Sequence, residues 1–170
     1  MQALPHGEVA AAVETVRTSA STVSAIKLAF EFLVLTAGRS AEVRLATWDE
    51  MDVAGRVWTI SAERMKAKRE HRVPLRGRAV ELLKAARALG GGDGLVFSIR
   101  RGRPIAAATL PKMLAKRGIP AVAHGFRSSC RDWAAERTDH PREVIEAALA
   151  HVVWWRRRMR APTCSSGGGG

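Results

Sequence analysis

The cationic side chains Arg39, Lys66, His124, Arg127 and His151 are spaced so that a fold could bring them to one anion. His124 and Arg127 stand at i and i+3 at the expected start of a helix. They therefore share a face at the end where free backbone N–H groups and the helix dipole attract negative charge. An arginine presents a planar fork that holds two phosphate oxygens at once, and two such forks, Arg39 and Arg127, can neutralise the added charge of a pentacovalent phosphorus. Lys66 falls in an expected turn between strands. Beside the arginines its pKa could drop far enough for it to protonate a leaving alkoxide. His151, at the end of a helix that follows Asp139-His140-Pro141, is placed to hydrogen-bond a non-bridging oxygen. The set makes chemical sense around a phosphodiester. Because its cations are side chains, it calls for no metal and no cofactor.

Each residue alone has an ordinary explanation. Arg39 could be a cap or a salt-bridge residue with Glu42 as local partner, and Lys66 one solvated charge among Arg64, Lys68, Arg69 and Arg72. His124 and His151 could be polar helix ends. The stripe Phe126, Cys130 and Trp133 is assigned to the core.

The elements that must position these residues can be read in order. Helical spacing runs through 9–16 and again through 25–37, where apolar residues on nearly all sides predict a central helix. Gly38 is expected to end that helix in the left-handed conformation, and Ser40 to cap a short helix through Ala46 with Glu42 in its first turn. Arg39 then lies in a tight helix-to-helix corner. The period next changes to strand at 48–53, 57–62 and 71–75, giving a three-stranded antiparallel sheet. Helices are predicted again at 78–89, which ends at Gly90-Gly91-Gly92, and at 107–116, after the segment 95–99 and the turn Gly102-Arg103-Pro104. Two more follow, the last opening at Pro141 and Glu143. The fold class expected is α+β, mainly α, with a small antiparallel sheet.

Composition narrows the partner. The chain has 170 residues, 46% of them hydrophobic, enough for one sizeable core. Its 28 Lys+Arg against 16 Asp+Glu leave a formal charge of +12, which favours a polyanionic partner. The segment 25–37 is interrupted by Lys27 and Glu31 and falls short of the roughly 20 apolar residues that span a bilayer, so no membrane association is expected. Cys130 and Cys164 form no disulfide framework and no metal-type spacing, and no secretory signal is visible, which together point to the cytoplasm. From Trp154 onward the pattern breaks into a basic, glycine-rich tail. It reads either as a flexible extension or as out-of-frame translation, so 1–153 is taken as the domain and 154–170 as atypical.

Taken together, Thr36-Ala37-Gly38-Arg39-Ser40-Ala41-Glu42-Val43, Met65-Lys66-Ala67-Lys68 before Arg72-Val73-Pro74-Leu75, His124-Gly125-Phe126-Arg127 and Leu149-Ala150-His151 resemble the tyrosine recombinases, specifically phage and prophage integrases. The resemblance implies a mainly helical catalytic domain acting on double-stranded DNA. In that family a tyrosine attacks the scissile phosphate, leaving a 3′-phosphotyrosyl link and a free 5′-hydroxyl. Arg39, His124, Arg127 and His151 match the phosphate-binding residues, Lys66 matches the lysine that protonates the leaving oxygen, and Arg64, Lys68, Arg69 and Arg72 become candidate DNA contacts.

Two departures shape the expectation. The family tyrosine would fall at Arg160 or Ala161, yet the sequence contains no tyrosine, and Cys164 is a poor substitute in phosphoryl transfer between oxygens. The arm and core-binding domains usual in integrases are also expected to be absent. The resulting expectation is a DNA-binding integrase catalytic domain defective in cleavage, acting as a homo-oligomer on DNA or beside an intact recombinase. The alternative is a noncatalytic DNA-binding or regulatory module derived from an integrase.

Overall fold

The computed structural model describes residues 3–65, 67–90, 94–100 and 102–149. A 3-10 turn at His6–Glu8 leads into α1 (Val9–Arg17), followed by α2 (Ser24–Thr36) and α3 (Ser40–Arg44). The strands β1 (Met51–Asp52), β2 (Val57–Ile60) and β3 (His71–Pro74) form an antiparallel sheet in that order, with Trp58 opposite Val73 and Ile60 opposite His71. Then come α4 (Gly77–Ala88), the hairpin β4 (Ser98–Arg100) and β5 (Arg103–Pro104), α5 (Thr109–Lys116), α6 (Gly125–Arg137) and α7 (Arg142–Ala148). The expected class, mainly helical with a three-stranded antiparallel sheet, is what forms.

The apolar pattern of α2 makes it the hub. Ala29, Phe30, Phe32 and Leu33 are wholly buried, and the helix packs on α1, α3, α4 and β4. Phe30 meets Phe126 of α6 edge to face, with ring centroids 5.2 Å apart, while Phe32 touches both Trp58 and Phe97. Glu31 is buried within this apolar surface. Arg78 of α4 makes that tolerable, reaching its carboxylate with Nε at 2.7 Å and Nη2 at 3.1 Å. A smaller cluster of Ala37, Ile145 and Leu149, with Cys130 and Ala134 against it, joins the end of α2 to α6 and α7.

Several expectations are corrected. The left-handed cap of α2 is Ala37, at φ 47°, and not Gly38. The residue at the N-cap of α3 is Arg39 and not Ser40. The first strand is shorter than 48–53, because Trp48–Glu50 forms a 3-10 turn whose first N–H is taken by the Gly94 carbonyl at 2.9 Å. The segment after 95 is a hairpin in which Ser98 faces Pro104. Trp133, assigned to the core, is 48% exposed, because the α6 face that meets α2 through Phe126 turns away from the core before reaching it. The tail 154–170 lies outside the described residues.

Candidate phosphate site at the end of the central helix

The corner Ala37-Gly38-Arg39 is built by close packing. A Cβ on Gly38 would stand 2.9 Å from Val43 Cγ2, 3.1 Å from Thr36 Oγ1 and 3.4 Å from a Trp58 ring carbon, so only glycine lets α2 and α3 meet here. Gly38→Ala is therefore expected to destabilise the fold by about 1–3 kcal/mol, read as a lowered thermal midpoint. A loss below about 0.5 kcal/mol would mean that the corner yields freely.

Beyond the corner, Arg39 and Glu42 lock together. The Arg39 backbone N–H donates to Glu42 Oε2 at 2.8 Å and its Nη1 to Oε1 at 2.6 Å. The Glu42 side chain is 7% exposed and that of Arg39 26%, so the guanidinium reaches the surface from a buried anchor. A short helix with few bonds of its own gains a fixed first turn in this way.

Arg127 lies deeper. It is 4% exposed in the first turn of α6, and its Nη1 and Nη2 donate to the carbonyls of Ala37 and Leu149, tying the end of α2 to the end of α7. Its Nε is buried with no partner among the described residues. Burial first, and then the charge of Arg39, hold this guanidinium below its ordinary pKa, while Glu42, Cys130 and Glu146 act in the opposite sense. A cation kept this deep beside another cation is an environment that favours an anion.

His71 joins the group from β3 and was not singled out in the sequence. The signal was there in the alternation, since His71, Val73 and Leu75 share one face of the strand and the latter two are buried. Burial pushes the His71 pKa down from 6.5. Glu42 and the Ala148 backbone oppose that shift, whereas Arg127 and Arg39 add to it. The folded state thus binds fewer protons here than the unfolded chain. Its stability contribution is full above about pH 6.5 and is lost as pH falls through the lowered value. Urea unfolding should show stability declining on acidification below about pH 6.5, by no more than about 1.4 kcal/mol per pH unit for one proton. His71→Gln should remove that part of the slope, and an unchanged slope would assign it to another group.

The structure thus pairs Arg39 with Glu42 and leaves Arg127 and His71 near enough to feel their charges. His124 is the exposed N-cap residue of α6. Lys68, Arg69 and Arg72 are exposed in and after the β2–β3 connection, with Lys68 in a left-handed conformation at φ 52°. Arg64 is different: its guanidinium bonds to Glu50 and to the Glu42 carbonyl. Lys66 and His151 lie outside the described residues. Among the described residues no group of His, Cys, Asp and Glu is arranged to hold a metal ion, and no helix is long and apolar enough to cross a membrane.

The chain is thus a mainly helical domain with a small sheet that sets Arg39 in the corner between its second and third helices. Residues 2–153 match the model of the phage integrase family, and the chain belongs to that family. It is 37% identical over 144 residues to prophage integrase IntA of Escherichia coli K12, covering 82% of this chain and 34% of that protein. To the integrase of Enterobacteria phage P4 it is 30% identical over 156 residues, covering 79% of this chain and 34% of that protein. The chain thus spans about a third of the length of these curated relatives. Among solved structures, it superposes on the Tn1549 transposon integrase in complex with transposon right end DNA with a TM-score of 0.71 at 12% identity, covering 89% of this chain and 58% of that one. The XerH site-specific recombinase bound to its difH substrate gives 0.71 at 19% identity, covering 89% and 46%. At such identities these two structures speak for the fold alone.

Proposed function

We propose that the chain is the phosphate-holding catalytic domain of a site-specific DNA recombinase, serving DNA integration and recombination, and that these 170 residues, which include no tyrosine, bind double-stranded DNA without cutting it. The observation that carries the reading is the corner at which Arg39 is held by the buried Glu42 carboxylate and Arg127 is tied to the carbonyl of Ala37, two residues before Arg39. The family membership and the DNA complexes named for the Tn1549 and XerH neighbours support it.

In this reading a phosphodiester lies over the exposed part of the Arg39 fork. Arg127 acts from beneath as a fixed positive charge, held there by the Ala37 and Leu149 carbonyls. His124, His151 and Lys66 complete the set. His124 and His151 hold non-bridging oxygens, and Lys66 supplies the proton to the departing 5′-oxygen in a chain that has its tyrosine. The exposed Lys68, Arg69 and Arg72 meet flanking phosphates. The setting is the cytoplasm, with a homo-oligomer on DNA or an intact recombinase as companion.

The test is anisotropy of a labelled duplex between about 50 and 200 mM salt, where each neutralised phosphate contributes about 0.9 to the slope of log K against log salt. Steep salt dependence, weaker binding by Arg39→Ala, and no covalent protein–DNA band after denaturing electrophoresis are expected. Unchanged affinity of Arg39→Ala at low salt, or a covalent band, would overturn the reading.

A further inference from the structure

We propose that Arg64, which the sequence groups with the DNA-contacting cations, is instead a positioning residue that fixes Arg39 through Glu42. The proposal rests on the reading of Arg39 as a phosphate ligand, and it extends that site inward to a residue that does not touch the phosphate.

A continuous chain of bonds runs from the core to the site. Trp58, wholly buried in β2, donates its Nε1–H to Glu50 Oε2 at 3.0 Å, and the other oxygen of Glu50 accepts from Arg64 Nη1. The remaining terminal nitrogen of Arg64 donates to the Glu42 backbone carbonyl at 2.7 Å. The Glu42 carboxylate in turn holds Arg39 by its backbone N–H and by Nη1.

Each link answers a local need. The helix α3 has 5 residues, too few to hold its own direction, and the Glu42 carbonyl lies among its last four, which no N–H of the helix can reach. Arg64 satisfies that carbonyl while Glu42 fastens the other end of the helix to Arg39. The turn that carries Arg64 is itself held, by Arg64 N to Ser61 O at 3.1 Å, by Met65 N to Ala62 O at 3.3 Å and by the burial of Met65 at 2% exposure. The Arg64 side chain is 23% exposed and that of Glu50 12%. If Arg64 swung out to a phosphate, the Glu42 carbonyl would lose its donor and the Glu50 carboxylate would lose its countercharge, keeping only the Trp58 N–H. A planar fork suits the dual role, since one terminal nitrogen reaches the carboxylate and the other the carbonyl; a lysine has a single point of attachment.

The test combines a double-mutant cycle with a reporter that needs no DNA. Affinity for a labelled duplex is measured across the salt series for wild type, Arg64→Ala, Arg39→Ala and the double variant, with thermal unfolding run on each. Both single variants are expected to weaken binding roughly tenfold, the scale of one charge-assisted hydrogen bond, and Arg64→Ala should add nothing in the Arg39→Ala background. Additive losses, with the salt slope falling by about one unit for Arg64→Ala even when Arg39 is absent, would make Arg64 a phosphate contact and overturn the proposal. In parallel, phenylglyoxal modification of Arg39 is followed by peptide mass spectrometry in the absence of DNA. Arg39 should react several-fold faster in Arg64→Ala and in the shape-preserving Arg64→Met, and Arg64→Lys should not restore protection. Unchanged Arg39 reactivity in a folded Arg64→Met protein would sink the coupling. Altered reactivity with DNA affinity indifferent to Arg39→Ala would instead sink the phosphate reading and leave the coupling standing.

Discussion

Arg127→Ala is expected to remove about 3–5 kcal/mol of stability, a large share of the roughly 5–15 kcal/mol by which a domain is folded, and to weaken DNA binding in the protein that remains folded. The guanidinium is 4% exposed and bridges two carbonyls that belong to different parts of the fold, Ala37 at the left-handed end of α2 and Leu149 just beyond α7. Its removal leaves both carbonyls without their donor and opens a void beside the small cluster of Ala37, Ile145 and Leu149. Each lost bond to a charged donor costs about 1.5–3 kcal/mol before the void is counted. Urea unfolding followed by circular dichroism measures the loss. Arg127→Lys should recover only part of it, because a single ammonium cannot span both carbonyls. If Arg127→Ala lost less than about 1 kcal/mol, the α2–α7 tie would not be a real constraint, and the deep placement of the charge would need another explanation.

The same pair of bonds marks the limit of what the sequence disclosed. Helical spacing located α2, α6 and α7, strand alternation located the sheet, and the position of Arg39 in a corner followed from the stop after α2. Which residue turns the corner did not follow. Glycine is the usual left-handed cap, but here Ala37 takes the strained backbone and Gly38 is needed for lack of a side chain, a consequence of where Val43 and Trp58 come to rest. Arg64 was indistinguishable from its basic neighbours, because its partners, Glu50 and the Glu42 carbonyl, are far from it in the chain. Trp133 was placed in the core because helical periodicity reports a face and cannot say how far along a helix that face stays covered. His71 opens the strand run 71–75 and belongs to no motif, although its alternation with Val73 and Leu75 puts it on their face of the strand.

Glu42→Ala is expected to show most directly whether these cations converge on one anion position. Its carboxylate, 7% exposed, pairs with Arg39, raises the pKa of His71, and ranks ahead of Cys130 and of the half-buried Glu146 among the groups that oppose the lowering at Arg127. Without it Arg39 loses two hydrogen bonds, and the charges of Arg39 and Arg127 face His71 with little opposition. A loss of about 2–4 kcal/mol is expected, below the full figure for a buried pair because Arg39 can still turn toward water. Because the Glu42 carboxylate is what holds Arg39 in place, inorganic phosphate or duplex DNA should raise the thermal midpoint of Glu42→Ala by less than that of wild type, as linkage requires of a ligand that binds this folded state less tightly. Equal shifts in the two proteins would mean that the phosphate does not sit where the carboxylate acts, and Arg39 and Arg127 would then belong to separate sites.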